Sequence, residues 1–179
     1  MVIKLFLKQN SSHFRLAGVS TEAINYYDDL KLLEKPTNVK SAGRRGRGLF
    51  ANVNIKKYHY IVEYVGELVT PNEYNRRYLE YKNRGYKHDY FSTMKIGKII
   101  DATMVGNNGR YANHSCDPNS EFVYEDLPGS NETVMFIAAT RRIREGEEIT
   151  IDYAWFKSET SVIDLNECNC GSKNCRGYI

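Results

Sequence analysis

Three of the four cysteines stand in the last twelve residues, as Cys168-Asn-Cys170-Gly-Ser-Lys-Asn-Cys175, and this cluster constrains the chain more than any other feature. A tetrahedral site made of thiolates needs four ligands, and Cys116, far upstream, is the one cysteine left. So short a cluster cannot fold by itself, and Gly171 permits the bend that brings three thiols together. In a reducing compartment, a structural zinc held by Cys116, Cys168, Cys170 and Cys175 is the leading reading, with disulfides or inert thiols as alternatives. With Cys116 as fourth ligand, the tail docks beside residue 116 and its folding is coupled to metal binding. Four thiolates leave no open position for chemistry, so such a metal would be structural.

The remaining 167 positions read as one domain with small appendages, since 179 residues are enough to bury a real core. With 25 Lys and Arg against 22 Asp and Glu, the net charge of +3 is too weak by itself to indicate a dedicated nucleic-acid binder. Met1 to Leu7 is apolar in places, but Lys4 and Lys8 interrupt it and no leader-type cleavage site follows. No run approaches the roughly 18 apolar residues of a membrane span. An intracellular, soluble protein with no membrane partner is the expectation.

Apolar spacing predicts a helix over Thr21 to Glu34, ending before Pro36, within an N-terminal helical appendage of residues 1–40. A Gly/Arg segment, Ser41 to Gly48, is followed by β-branched and aromatic runs at Leu49 to Val53 and Tyr60 to Val65. Thr70-Pro71-Asn72-Glu73 has the form of a helix start, with Thr70 as N-cap, Pro71 in the first turn and Glu73 reaching back as a capping box, and the helix should run to about Asn83. Further strands are expected at Tyr90 to Met94, Lys98 to Asp101, Glu121 to Tyr124, Val134 to Ala139 and Glu148 to Asp152. The 14 tyrosines suit such a β-rich chain. The fold expected is therefore mainly β with short helices.

Gly109-Arg-Tyr-Ala-Asn-His-Ser-Cys-Asp-Pro-Asn119, taken alone, indicates only a polar turn. It occurs together with Glu145-Gly-Glu-Glu-Ile-Thr-Ile-Asp-Tyr153, Arg47-Gly-Leu-Phe50, Glu63-Tyr-Val-Gly-Glu67 and the cysteine tail. In combination, over about residues 40 to 179, these strings closely resemble the SET-domain family of protein-lysine methyltransferases with a post-SET zinc tail. The resemblance implies a β-clip fold of small sheets. Its SET domain spans 41–156, with a helical insert at about 71–89, and its zinc tail spans 157–179.

Carried onto these positions, the family pattern makes Arg45, Gly46 and Arg47 a loop that wraps S-adenosylmethionine. Without the family, that loop would read as a solvated Arg/Gly patch or a phosphate contact. Asn113, His114, Arg110 and Tyr90 join the cofactor site, although His114 alone would more often be a core histidine or a metal ligand beside Cys116. Tyr153 matches the catalytic tyrosine. Tyr64, Tyr90, Phe122, Ile151 and Trp155 fall at or near the channel that receives the lysine, although a tyrosine in a β-rich protein is usually core.

These residue types suit the chemistry. Methyl transfer is an in-line displacement by a neutral amine, so alignment and exclusion of water matter more than a metal or a covalent intermediate. Three features depart from the family. Ile151 replaces the Phe or Tyr usual two residues before the tyrosine, which leaves room for di- or trimethylation, while Phe122 could swing into the same space. Residues 1–40 hold no cysteine-rich module, and Asp89 stands where an aromatic is common. The Asp101-Ala-Thr103 string and the tail look most like relatives acting on histone tails, so the expected partner is a histone tail or nucleosome in the nucleus. A weak DNA contact through the Lys40 to Arg47 patch is compatible with that. The alternative is a catalytically weak chromatin-binding module of the same fold.

Overall fold

A computed structural model describes residues 20–94, 97–153 and 167–179. They form two α-helices, α1 (Thr21–Leu32) and α2 (Pro71–Asn83), and ten short strands. The strands are β1 (Thr37–Ser41), β2 (Arg47–Ala51), β3 (Tyr60–Glu63), β4 (Glu67–Val69), β5 (Phe91–Thr93), β6 (Ile99–Asp101), β7 (Asn113–His114), β8 (Ser120–Asp126), β9 (Thr133–Ala139) and β10 (Glu148–Ile151). They make three small sheets, ordered β1-β2-β10-β7, β3-β9-β8 and β4-β6-β5. The architecture is thus mainly β with short helices. No helix among the described residues is long and apolar enough to cross a membrane.

The chain divides into two compact units that are not consecutive in sequence. One takes in residues 20–32, 63–110 and 124–136, the other residues 33–62, 111–123 and 137–179.

In the first unit, α2 begins as its residues dictate. Thr70 is extended and its hydroxyl accepts the Glu73 amide at 3.3 Å, with Pro71 in the first turn where a missing N–H costs nothing. Glu73 does not reach back to Thr70; its carboxylate accepts from Arg76 and Arg77 instead, a correction to the expected reciprocal cap. Arg77 also bonds Glu67 at 2.8 Å and the fully buried Asp101 at 2.9 Å, which fastens the helix to β4 and β6. Asp101 completes its shell with the Tyr81 hydroxyl (2.8 Å) and the Thr103 amide (3.0 Å), as a buried carboxylate must. Helix α1 is held within the same unit by Tyr27, whose hydroxyl donates to buried Glu63 at 2.7 Å, and by Tyr26 on Glu125 at 3.2 Å.

In the second unit, β1 and β2 are antiparallel from Thr37↔Ala51 to Ser41↔Arg47, and β10 adds to β2 through Ile149↔Leu49. Residues 37–40, assigned from the sequence to the helical appendage, are thus part of this sheet. β10 then pairs in parallel with β7, Thr150↔Asn113 and Ile151↔His114. Leu49, Ile149 and Ile151 alternate inward and are buried, as the period of a half-buried strand requires.

Asn119 locks this arrangement. Its side chain is buried, accepts the Thr150 amide at 2.9 Å and donates to the Glu148 carbonyl at 2.8 Å and the Glu147 carboxylate at 3.1 Å. Asn119→Ala strands a buried N–H and C=O, so urea unfolding should show a loss of about 3 kcal/mol. A loss below about 0.5 kcal/mol would contradict the role given to this side chain.

Candidate active site

The pairing of β7 with β10 brings two strings that are distant in sequence into contact. Tyr153 lies two residues beyond β10, and its amide donates to His114 Nδ1 at 3.2 Å. The two rings meet edge to face with centroids 5.4 Å apart. The Tyr153 hydroxyl donates to the Ala112 carbonyl at 3.1 Å, which fixes its direction, while 38% of the residue stays exposed, enough for a ligand to reach it. Since Nδ1 of His114 accepts an amide, Nε2 carries the proton and points at Cys116 Sγ, 3.3 Å away. Burial lowers the pKa of this histidine, against the raising effect of the Asp152 carboxylate 3.5 Å from Nδ1.

On the other side of β10, Gly43–Arg45 forms a tight 3₁₀ turn closed by the Gly46 amide on the Gly43 carbonyl (3.1 Å). Gly46 has φ +78°, a conformation that favours glycine. Glu148 is the organising side chain here. It takes the Arg45 guanidinium in an ion pair and the Asn113 amide at 2.8 Å, while Asn113 also donates to the Arg47 carbonyl at 3.0 Å. Gly48 makes this possible, because a Cβ there would lie 2.6 Å from Glu148 Oε1 and 3.1 Å from Asn113 Nδ2. Arg47 stacks over the Tyr111 ring, 4.4 Å from its centroid. Glu148 escaped the sequence reading because it sits in a Glu-Gly-Glu-Glu run that looks like a solvated turn. Its place directly before an apolar strand was the available signal.

The four cysteine sulfurs lie within 4.8 Å of one another. Cys116 and Cys168 Sγ are 3.7 Å apart, close to the edge of about 3.8 Å that a tetrahedron with metal–sulfur bonds of about 2.3 Å requires. Gly171 turns the tail at φ +72°, and the Arg176 amide donates to Cys116 Sγ at 3.3 Å. The Arg176 guanidinium grips Asp152 through two bonds of 2.7 Å, tying the tail to the residue beside Tyr153. Burial raises the Cys168 thiol to about 12. At Cys170 burial acts the same way, but backbone amides at Cys116 and Ser172 together with hydrogen bonds from the Cys168 and Cys175 thiols outweigh it and bring the thiol down to about 6. The donor set and spacing fit a four-thiolate metal site. A cleft of ≈ 550 Å³ runs between the tail and the glycine turn, lined by Ala42, Arg44, Arg45, Asn169, Cys170 and Gly171 among others.

The structure thus brings Arg45, Gly46, Arg47, Asn113, His114, Tyr153 and the four cysteines together in one unit. Ile151 is in the same unit, buried at the end of β10, as is half-buried Phe122 on β8. Tyr64, Tyr90 and Arg110 belong to the other unit, where they form their own group. The Tyr64 hydroxyl donates to the Tyr90 carbonyl at 3.4 Å, and the Arg110 guanidinium lies 5.6 Å from the centre of the Tyr90 ring. Tyr90 is held further by its amide on Thr103 Oγ1 (3.0 Å), so Asp101 and Thr103 support this aromatic, a role the sequence did not reveal. Burial raises the carboxyl of neighbouring Asp89. Trp155 lies outside the described residues.

The SET domain family matches residues 46–154. The histone-lysine N-methyltransferase ASHH2 of Arabidopsis thaliana is 36% identical over 138 residues, 77% of this chain and 8% of the relative. An H3 lysine-36 specific histone-lysine N-methyltransferase of Aspergillus oryzae is 38% identical over 137 residues, 76% of this chain and 14% of the relative. The histone-lysine N-methyltransferase Set2 of Drosophila melanogaster is 37% identical over 144 residues, 80% of this chain and 6% of the relative. The chain therefore spans well under a third of the length of these curated relatives. Its matched residues hold both the asparagine–histidine strand and the strand leading to Tyr153, and the chain belongs to the SET-domain family.

Proposed function

We propose that the chain transfers methyl groups from S-adenosylmethionine to a lysine side chain of a histone, in the nucleus. The observation that carries this reading is the contact of Tyr153 with His114 and Ala112, in the unit that also holds the Glu148–Arg45–Asn113 cluster and the four thiols. The names of the relatives, three of them quoted above, support a histone as substrate, and the H3 lysine-36 specificity printed for one makes that residue the first to test.

Bound S-adenosylmethionine supplies an electrophilic methyl group on a sulfonium. Arg45 lines the cleft beside the tail, and the family pattern assigns Arg45, Gly46, Arg47, Arg110, Asn113, His114 and Tyr90 to hold S-adenosylmethionine. The lysine must arrive neutral. With a pKa of about 10.4, only about 0.1% of it is neutral near physiological pH, and burial in the aromatic channel that the family pattern assigns to Tyr64, Tyr90, Phe122, Ile151 and Trp155 would lower that pKa. Tyr153 orients the amine: its O–H is directed to the Ala112 carbonyl, and a phenol oxygen can accept from an amine N–H. In this reading residues 41–156 form the transferase domain, and residues 157–179 a tail organised by one structural zinc.

Incubation with S-adenosylmethionine and histones or nucleosomes, followed by mass spectrometry, tests the activity, the target and the methyl count together. Di- or trimethyl product is expected, since Ile151 brings no hydroxyl to the lysine nitrogen; monomethyl product alone at exhaustive conversion would contradict that. Tyr153→Phe should keep fold and cofactor binding yet lower kcat about 100-fold, and equal turnover would remove Tyr153 from its role. Elemental analysis should find about one zinc per chain, lost in Cys116→Ser despite the intact tail cysteines. Full zinc content in that variant would exclude Cys116 as a ligand.

A further inference from the structure

Two exposed segments of the second unit, Lys56–His59 and Arg141–Glu147, gather positive charge that methyl transfer does not use. They are fixed side by side by backbone hydrogen bonds. Ile55 and Ile143 exchange two at 2.8 and 2.9 Å, the Tyr58 amide donates to the Ala139 carbonyl at 2.7 Å, and the Ala139 amide to the His59 carbonyl at 3.0 Å. Lys56, Lys57, Arg141, Arg142 and Arg144 face only Glu145 and Glu147, so these two short segments are as positive as the entire chain, whose net charge is +3. Arg141 is tied to Glu147 at 2.7 Å. Among the described residues no carboxylate forms an ion pair with Lys56, Lys57, Arg142 or Arg144. Arginines elsewhere are commonly neutralised: Arg45, Arg76, Arg77, Arg84 and Arg176 all sit in ion pairs. The backbone therefore holds like charges together and leaves four of them uncompensated, which raises the local potential toward an anionic partner.

Tyr58 adds an independent observation. Its φ of 67° makes it the one non-glycine residue among those described with a left-handed backbone, an outlier for a bulky side chain. Burial does not offset that strain, because the residue is 75% exposed, with only Lys57 Nζ 4.5 Å over its ring. Glycine would occupy the turn without strain. An aromatic ring held in solvent at a conformational cost, amid unpaired cations, is explained by a ligand and not by the core.

We propose that this surface binds the phosphodiester backbone of duplex DNA, with Lys56, Lys57, Arg142 and Arg144 on phosphates and the Tyr58 ring against the sugar edge. The cations project from turns and not from a helix or ribbon that fits a groove, so the contacts position the chain without reading sequence. Apart from Tyr58, the surface offers no large apolar side chain to insert into a membrane. It also differs from the Lys40 to Arg47 segment, where Arg45 is paired with Glu148 and Arg47 covers Tyr111. Because it is read as binding, the inference stands or falls separately from methyl transfer.

The test is fluorescence anisotropy of a labelled DNA duplex with the zinc-loaded full chain over a series of salt concentrations. Four phosphate contacts predict a slope of log affinity against log salt of about −3.6, falling to about −1.8 in Lys57→Glu/Arg142→Glu, with an affinity loss of at least about tenfold. Tyr58→Gly should also weaken binding without lowering the unfolding midpoint, and Lys87→Glu, at an exposed lysine of the other unit, should bind as the parent does. Unchanged affinity and slope in the charge-reversed chain would overturn the proposal. So would tighter binding to single-stranded RNA, or to phosphatidylserine/phosphatidylcholine vesicles, than to the duplex.

Discussion

The parallel pairing of Thr150–Ile151 with Asn113–His114 is the contact on which the rest of the second unit depends. Two residues of parallel ladder are weak by themselves, since parallel bonds are slanted and few. The surrounding loop makes up the difference. Asn119 imitates a missing strand by bonding both the Thr150 amide and the Glu148 carbonyl, the Ser120 hydroxyl donates to the Thr150 carbonyl at 2.7 Å, and the Ser115 amide to the Ile151 carbonyl at 2.9 Å. Once this register is set, Tyr153 has no choice but to meet His114, and Cys116 is delivered two residues further along.

The carboxylates flanking this strand then hold the glycine turn and the tail. Glu148 at its start takes Arg45 from the glycine turn, and Asp152 just past its end takes Arg176 from the tail. The Arg176–Asp152 pair is partly exposed and screened, so by itself it orders the tail only weakly. The convergence of four sulfurs is the stronger constraint, because a metal bound there would make folding of the tail part of the binding free energy. The thiol cluster and Tyr153 are linked through one residue: His114 touches Tyr153 with one ring nitrogen and Cys116 with the other.

Much of this was legible in the residues. The start of α2 was given by Thr70 and Pro71, and its end at Asn83 was expected; α1 ends at Leu32, two residues short of the expected Glu34. The longer strands appear where β-branched runs placed them, with ends shifted by one or two residues, as at β2, which covers Arg47–Ala51 and not Leu49 to Val53. β1, β4 and β7 were not foreseen: β1 lies largely in the segment read as the helical appendage, and strands of three and two residues show no period and exist only through their partners. The cysteine cluster was legible because its chemistry demands a fourth ligand. Glu148, Asn119 and Asp101 were not, because their roles come from three-dimensional neighbours and their types are common in turns. Tyr64, Tyr90 and Arg110 were grouped by motif, and the structure places them in the first unit with Asp101 and Thr103 behind them.

The account rests on two distant strings forming one site for a sulfonium donor, and calorimetric titration of S-adenosylmethionine into the zinc-loaded chain measures this most directly. One-site binding is predicted, weakened at least about tenfold in Asn113→Ala, a loss of about 1.4 kcal/mol. A parent chain that takes up no S-adenosylmethionine, or a variant that binds it equally well, would contradict the account.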